Sequence, residues 1–338
     1  EPASGAIGAG SAIGTALPGV PSRHPALLRL GTALQRIAKS RVGVLLLGET
    51  GVGKEVYARY VHACSPRAEG PFVAVNCAAL PRDLLEAELF GIEKGAATGV
   101  EARAGVFERA HGGSLFLDEL GDMPADTQVR LLRALEDGRI HRVGGKRLIE
   151  VDVRLVGATH RDLQAEVQAG RFRLDLYHRL AGFEAQLPPL RARREDIAAL
   201  AAHFFERALA ESQQHSPGIS AAAMAALEAW PWPGNVRELR QVIDRACALL
   251  LPGEALDLLH LPPRLQQAPA SPRQATARAG AADPPDLESV LMVAEREALQ
   301  AALEACGGSH EAAWTRLGIG KTSFYKKLKQ HGLGRGED

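Results

Sequence analysis

The first chemistry in this sequence lies in a glycine-rich stretch, Gly48, Glu49, Thr50, Gly51, Val52, Gly53 and Lys54. The apolar run 42–47 ahead of it reads as a buried strand and residues 55–62 behind it read as helix, the context in which GxxxxGK becomes a phosphate loop. Glycines let backbone N–H groups curl around a β-phosphate, the following helix presents its positive end, and Lys54 reaches the β- and γ-phosphates. Glu55 stands where a Ser or Thr usually binds Mg²⁺, so the hydroxyl ligand is missing and the ion must be held differently, through water or another group.

A second group of residues completes such a site. Residues 111–117 (HGGSLFL) run into Asp118 and Glu119, an acidic pair at the end of a second buried strand. An acidic pair after an apolar run is, by itself, more often a turn or a helix cap. Paired with a phosphate loop, it reads as Asp118 orienting Mg²⁺ and its water shell and Glu119 polarising the attacking water, because phosphoryl transfer is mostly positioning and charge neutralisation.

These residues need a frame. Between residues 23 and 190, strand-length apolar runs at 42–47, 72–75, 115–117, 151–158 and 183–187 alternate with helical periodicity, which predicts an α/β fold with a mostly parallel sheet covered by helices on both faces. A hairpin is expected around Gly144 and Gly145. Residues 191–262 lose the strand signal and read as a small helical subdomain. Residues 1–22 and 263–286 read as linkers from their Gly, Ala and Pro content, and 287–334 as a compact all-α unit with a basic end.

Composition limits the rest. The chain has 338 residues with 46% hydrophobic and 24% charged positions, enough for about two domains. Forty basic residues balance forty acidic ones, so any contact with nucleic acid must come from local clustering. The four cysteines, Cys64, Cys77, Cys247 and Cys306, have no ligand spacing, and no apolar run approaches the roughly 18 to 20 residues of a membrane helix. A cytoplasmic location is expected.

At the basic end, residues 310–317, the turn Gly318, Ile319, Gly320 and a second helix at 321–330 have helix-turn-helix proportions. Lys321, Lys326, Lys327 and Lys329 carry positive charge with no acid between them, while Thr322, Ser323 and Tyr325 are polar groups near the helix start.

Taken in order, residues 48–55, Asn76-Cys77, 88–91 (ELFG), 93–95 (EKG), 118–124, 188–191 (PPLR) and 232–239 carry a resemblance. The chain resembles the bacterial enhancer-binding proteins, AAA+ ATPases of the NtrC type that activate sigma-54 RNA polymerase. The resemblance spans residues 19–262, and residues 287–334 are similar to the Fis-type helix-turn-helix. It implies ATP as ligand, a ring that is usually a hexamer with dimeric DNA-binding domains, and upstream DNA and sigma-54 RNA polymerase as partners. By matching position it implies that Asn76 senses the γ-phosphate and restrains Glu119, that Thr159 and His160 are sensor I, that Arg173 and Arg179 are arginine fingers delivered to a neighbouring subunit, and that Arg237 is sensor II. Gly95, Ala96, Ala97, Thr98, Gly99 and Val100 occupy the loop that touches the sigma factor, with Ala97 and Val100 in place of the family's Phe and Ala. That departure leaves open a DNA-binding AAA+ regulator that does not use sigma-54. In the C-terminal unit, Trp314 replaces a small residue of the family.

Overall fold

The structure, a computed structural model, describes residues 15–17, 20–95, 101–266, 295, 299, 302, 303, 306 and 309–331. The chain divides into two units, up to residue 270 and from residue 271 on.

The first unit opens with a short antiparallel pair, β1 (Thr15–Leu17) and β2 (Val20–Pro21), ahead of helix α1 (Pro25–Ile37). Both strands fall inside the stretch read as a linker from composition. Backbone pairing needs no particular side chains, and Ser22 is buried because its hydroxyl donates to Asp196 Oδ2 at 2.8 Å, a partner far along the chain.

Five strands form one parallel sheet: β3 (Val44–Leu47), β4 (Phe72–Asn76), β5 (Ser114–Asp118), β8 (Arg154–Thr159) and β9 (Phe183–Gln186), in the order β4-β5-β8-β3-β9. Their side chains alternate between two cores. Leu45, Leu115, Leu117 and Leu155 enter one apolar cluster, and Val44, Leu46, Phe116 and Val156 enter the cluster on the opposite face. Burial on both faces explains why the sequence shows continuous apolar runs rather than alternation. Helices cover the sheet: α2 (Lys54–Ala63), α3 (Arg82–Phe90), α4 (Val106–Arg109), α5 (Ala125–Asp137), α6 (Leu163–Gln168) and α7 (Leu174–Leu180).

The expected hairpin is present as β6 (Arg139–His141) paired with β7 (Leu148–Glu150). β8 starts at Arg154, three residues later than the apolar run, because Val151 donates its N–H to Gly138 and Asp152 accepts from Gly112, outside the ladder.

The lid consists of α8 (Ile197–Ser212), α9 (Ala221–Ala229), α10 (Asn235–Ala248) and α11 (Pro263–Gln266). On α10, Leu239, Val242, Ile243 and Ala246 recur at helical spacing and fill its core. α11 lies at the start of the stretch read as a second linker. Its Leu265 is 1% exposed within the lid core, so the lid continues to Gln266; one apolar residue after two prolines gives no periodicity by which to see this.

In the second unit, α12 (His310–Arg316) is capped by the Ser309 hydroxyl, and α13 (Lys321–Gln330) follows the Gly318–Gly320 turn. Ala313, Phe324 and Leu328 are buried with Leu299 and Ala302.

Candidate nucleotide site and nucleic-acid interface

Strand register brings the predicted site together. Asn76 lies opposite Asp118, Leu117 opposite Gly157, and Leu47 opposite both Thr159 and Gln186, so the carboxyl ends of β4, β5, β8 and β3 form one edge. In an open parallel sheet that edge is where ligands bind.

The loop after β3 depends on glycine. Gly51 has φ +82°, and a Cβ there would lie 2.4 Å from the Gly234 carbonyl oxygen of the lid, so only glycine allows this approach. Lys54 opens α2 and is 5% exposed; its Nζ donates to the carbonyls of Gly48 (2.9 Å) and Glu49 (3.4 Å) and lies 3.8 Å from Glu119 Oε1. Glu55 borders the cleft and pairs with Arg59 at 2.7 Å.

Asp118 Oδ1 accepts the Glu119 N–H at 3.0 Å. Burial and the neighbouring Glu119 charge push its carboxyl above the usual range, against the pull of Lys54 and Arg237. Burial acts on Glu119 in the same sense, but the His160 hydrogen bond and the Lys54 charge outweigh it and hold this carboxyl low. His160 Nδ1 is 2.6 Å from Glu119 Oε2. Thr159 is buried; its hydroxyl accepts the Arg161 N–H at 3.0 Å and its carbonyl accepts the Gly48 N–H at 3.3 Å. Asn76 departs from expectation: its Oδ1 accepts the Ala78 N–H at 2.9 Å, and among the described residues no hydrogen bond joins it to Glu119. Beside it, Cys77 has its thiol pushed up to about 12 by burial and the nearby acids, so it supplies no thiolate.

Glu119, Asp122 and His160 each place one ligand atom within 4.8 Å of the others. Asp122 is already paired with Arg161 and Glu119 lies beside Lys54, so cations already neutralise this cluster. Asp118, a half-buried oxygen ligand with no such ion pair among the described residues, suits a hard cation better.

A cleft of about 370 Å³ runs from Thr50, Gly51 and Lys54 past Asp118 and Glu119 to the lid residues Arg193, Phe204 and Arg237. Three groups that sequence reasoning left without a role grip the loop from the lid side. Asn235 donates to Glu49 Oε2 and to the Thr50 carbonyl, both at 3.1 Å; Arg191 makes two bonds to Glu49, at 2.8 and 2.5 Å; Arg193 Nη2 donates to the Val52 carbonyl at 2.9 Å. Arg237 adds its backbone N–H to the Gly51 carbonyl at 3.2 Å. The one signal available in the sequence was an Asn directly after Pro233-Gly234, a residue type that tolerates the left-handed φ of +53° that Asn235 adopts.

Neither Arg173 nor Arg179 lines this cleft. Arg173 pairs with Asp175 at 2.6 Å, and Arg179 donates to the Leu135 carbonyl at 2.9 Å.

Residues 20–186 match the sigma-54 interaction domain, 191–278 the AAA+ ATPase lid domain and 291–331 the Fis family of bacterial regulatory proteins. Over 314 residues the chain is 43% identical to the regulatory protein AtoC of Escherichia coli K12, covering 92% of this chain and 67% of AtoC. It is 43% identical to the DNA-binding transcriptional regulator NtrC of Salmonella typhimurium, covering 91% and 69%. The chain belongs to the sigma-54-dependent enhancer-binding regulators. Among solved structures, NtrX from Brucella abortus in complex with ATP matches with a TM-score of 0.68 at 35% identity, over 92% of this chain and 69% of that one. The altered residues Ala97 and Val100 fall inside the matched sigma-54 domain, so the match does not favour a regulator independent of sigma-54.

The segment expected to touch the sigma factor leaves and rejoins the fold at braced ends. Ile92 and Arg103 exchange two backbone hydrogen bonds of 2.9 Å, Glu93 donates to Val143 at 3.0 Å, and Glu88 pairs with both Arg103 and Arg109. Gly95 has φ +82°. Ala96, Ala97, Thr98, Gly99 and Val100 lie outside the described residues.

In the second unit, Lys321, Thr322, Ser323, Tyr325 and Lys326 are exposed on α13. Lys327 differs: its Nζ donates to Glu295 Oε1 at 2.5 Å, so the lysine expected at phosphate is held within the unit. Trp314 is half-buried, with Phe324 at 6.0 Å in an edge contact and Lys321 Nζ 5.8 Å above its ring, so the bulky ring packs at the helix edge without displacing the core.

Proposed function

We propose that the protein is an ATP-hydrolysing regulator that binds DNA upstream of a promoter and remodels sigma-54 RNA polymerase. The observation that carries this reading is the shared edge of β3, β4, β5 and β8, which sets Lys54, Asp118, Glu119 and Thr159 around one loop.

The N–H groups of residues 50–54 bind the β-phosphate, and Lys54 leaves its carbonyl partners for the β- and γ-oxygens. Asp118 would hold Mg²⁺, which screens phosphate charge when bound. Glu119 takes a proton from water as the water oxygen attacks the γ-phosphorus and the bond to the leaving ADP oxygen breaks. Arg173 and Arg179, exposed and away from the cleft of their own chain, would leave Asp175 and the Leu135 carbonyl to enter the cleft of a neighbour, which makes hydrolysis depend on a homo-oligomeric ring, a hexamer by family resemblance. Arg237 couples the cleft to the lid. Lys321 and Lys326 contact DNA phosphates, with Thr322, Ser323 and Tyr325 near base edges; a dimer of these units would read a two-fold site.

Purified protein tests the assignment. Lys54→Ala should abolish nucleotide binding, whereas Glu119→Gln should keep binding and lower turnover by about a hundredfold or more, and both should fail to open a sigma-54 promoter. Hydrolysis at the wild-type rate in both variants would refute it.

A further inference from the structure

Trp314 stands where the family carries a small residue, and its surroundings are not those of a core ring. The core between α12 and α13 is already filled, with Ala313, Phe324 and Leu328 at most 2% exposed. Trp314 follows Ala313 and sits half-buried at the seam, tied to that core by its edge contact with Phe324 at 6.0 Å. Its other ring contacts reach exposed side chains of α13. Lys321 Nζ stands 5.8 Å above the indole, and the Tyr325 ring lies 6.1 Å away at a tilt of 57°.

Lys321 and Tyr325 are four positions apart, so they share one face of α13, and both are exposed. From the other side His310 meets the Tyr325 ring at 5.6 Å, with its Nδ1 3.3 Å from the phenol oxygen. His310 and Trp314 are also four positions apart, so two side chains of α12 interlock with two of α13. The lysines of α13 are held differently. Lys327 is drawn into the unit by Glu295, whereas Lys321 rests on the indole with no carboxylate partner among the described residues. A cation attracted by a ring face keeps its N–H donors for a phosphate, while one paired with a carboxylate has given one up. A long side chain also loses rotamer freedom when DNA fixes it, which weakens binding; one already braced loses less.

We propose that Trp314 is a positioning residue for DNA recognition, a ring that braces Lys321 and Tyr325 in the posture in which they meet the duplex. This rests on the reading of α13 as the DNA-contacting helix and adds to it the residue that orders two of its contacts.

Binding of the full chain to a duplex enriched by the wild type from a random-sequence pool, followed across a range of salt concentrations, tests it. Trp314→Ala should weaken binding about tenfold through lost order in two side chains. The slope of the logarithm of the binding constant against that of salt concentration should stay at its wild-type value, because every charge remains. Lys321→Ala should make the slope shallower by about one. Trp314→Tyr, which keeps an aromatic face under the ammonium, should bind within about twofold of wild type. In a chain that already carries Lys321→Ala and Tyr325→Ala, Trp314→Ala should weaken binding no further, whereas a ring that only packs the unit would cost the same factor in either background. Equal cost in both backgrounds overturns the proposal, as does wild-type affinity for Trp314→Ala or a loss that Trp314→Tyr does not repair. Wild-type affinity and salt slope in the chain with Lys321→Ala and Tyr325→Ala would take α13 off the DNA and the proposal with it, so the two failures are told apart by which variant binds like wild type.

Discussion

An acid in a phosphate loop invites repulsion of the phosphate it should bind, and Glu49 shows how this loop accommodates one. Arg191 and Asn235 take both of its oxygens, and their hydrogen bonds draw its carboxyl from 4.5 down to about 2. Because the folded value lies below the unfolded one, the charged form stabilises the fold above about pH 4.5, and that contribution fades as pH falls toward 2. Glu49→Gln should accordingly cost about 1 kcal/mol at pH 7, a value reduced because the pair is nearly half exposed and solvent screens it. In urea denaturation the gap between wild type and variant should narrow steadily below pH 4.5; a gap independent of pH contradicts the assignment. Gly48, Lys54, Asp118 and Glu119 were legible in the sequence because their neighbours in the chain define their chemistry. Arg191, Arg193 and Asn235 were not, since each acts on a loop residue at least 141 positions away.

Among the elements, the parallel strands were legible from their runs of apolar residues, which burial on both faces demands, whereas their ends were set by where ladder partners stop, as Val151 and Asp152 show by bonding outside it. The contact between lid and loop is an element-scale feature of the same kind. The loop carbonyls of Thr50, Gly51 and Val52 each accept a bond from the lid, so a shift of α10 moves the groups that cradle phosphate. Asn235 sits at the hinge of that contact, fully buried, its Oδ1 accepting the Leu190 N–H at 2.8 Å. Asn235→Gly keeps a left-handed backbone free of strain and deletes only the amide. It should raise KM for ATP about tenfold while kcat stays within about a factor of two, because the loop's resting shape is lost and the catalytic groups are untouched. An unchanged KM in a folded variant would show that the loop keeps its shape without the lid.

At the scale of the molecule, a balanced total charge hides its working surfaces. The lysines of α13 concentrate positive charge on one exposed helix of a chain whose total is neutral, and the pairing of one of them, Lys327, with Glu295 was not legible because Glu295 lies outside its helix. Assembly is hidden in the same way: a sequence assigns Arg173 and Arg179 to phosphate chemistry only by analogy, and in the folded chain they lie apart from the cleft they are proposed to serve. A head-to-tail ring resolves this, because each cleft then takes its phosphate loop from one subunit and its arginine from the next. Lys54→Ala supplies a sound arginine and a dead loop, and Arg179→Ala the reverse. Each alone should be inactive. Mixed in equal amounts and allowed to exchange subunits, they place a sound loop beside a sound arginine at about a quarter of the contacts, so hydrolysis should return to roughly that fraction of wild type if the sites act independently. Turnover should also rise more steeply than in proportion to protein concentration until the ring is complete. Mixed oligomers verified by mass that remain inactive, or a monomer that hydrolyses ATP at a rate independent of concentration, would place the arginines outside catalysis.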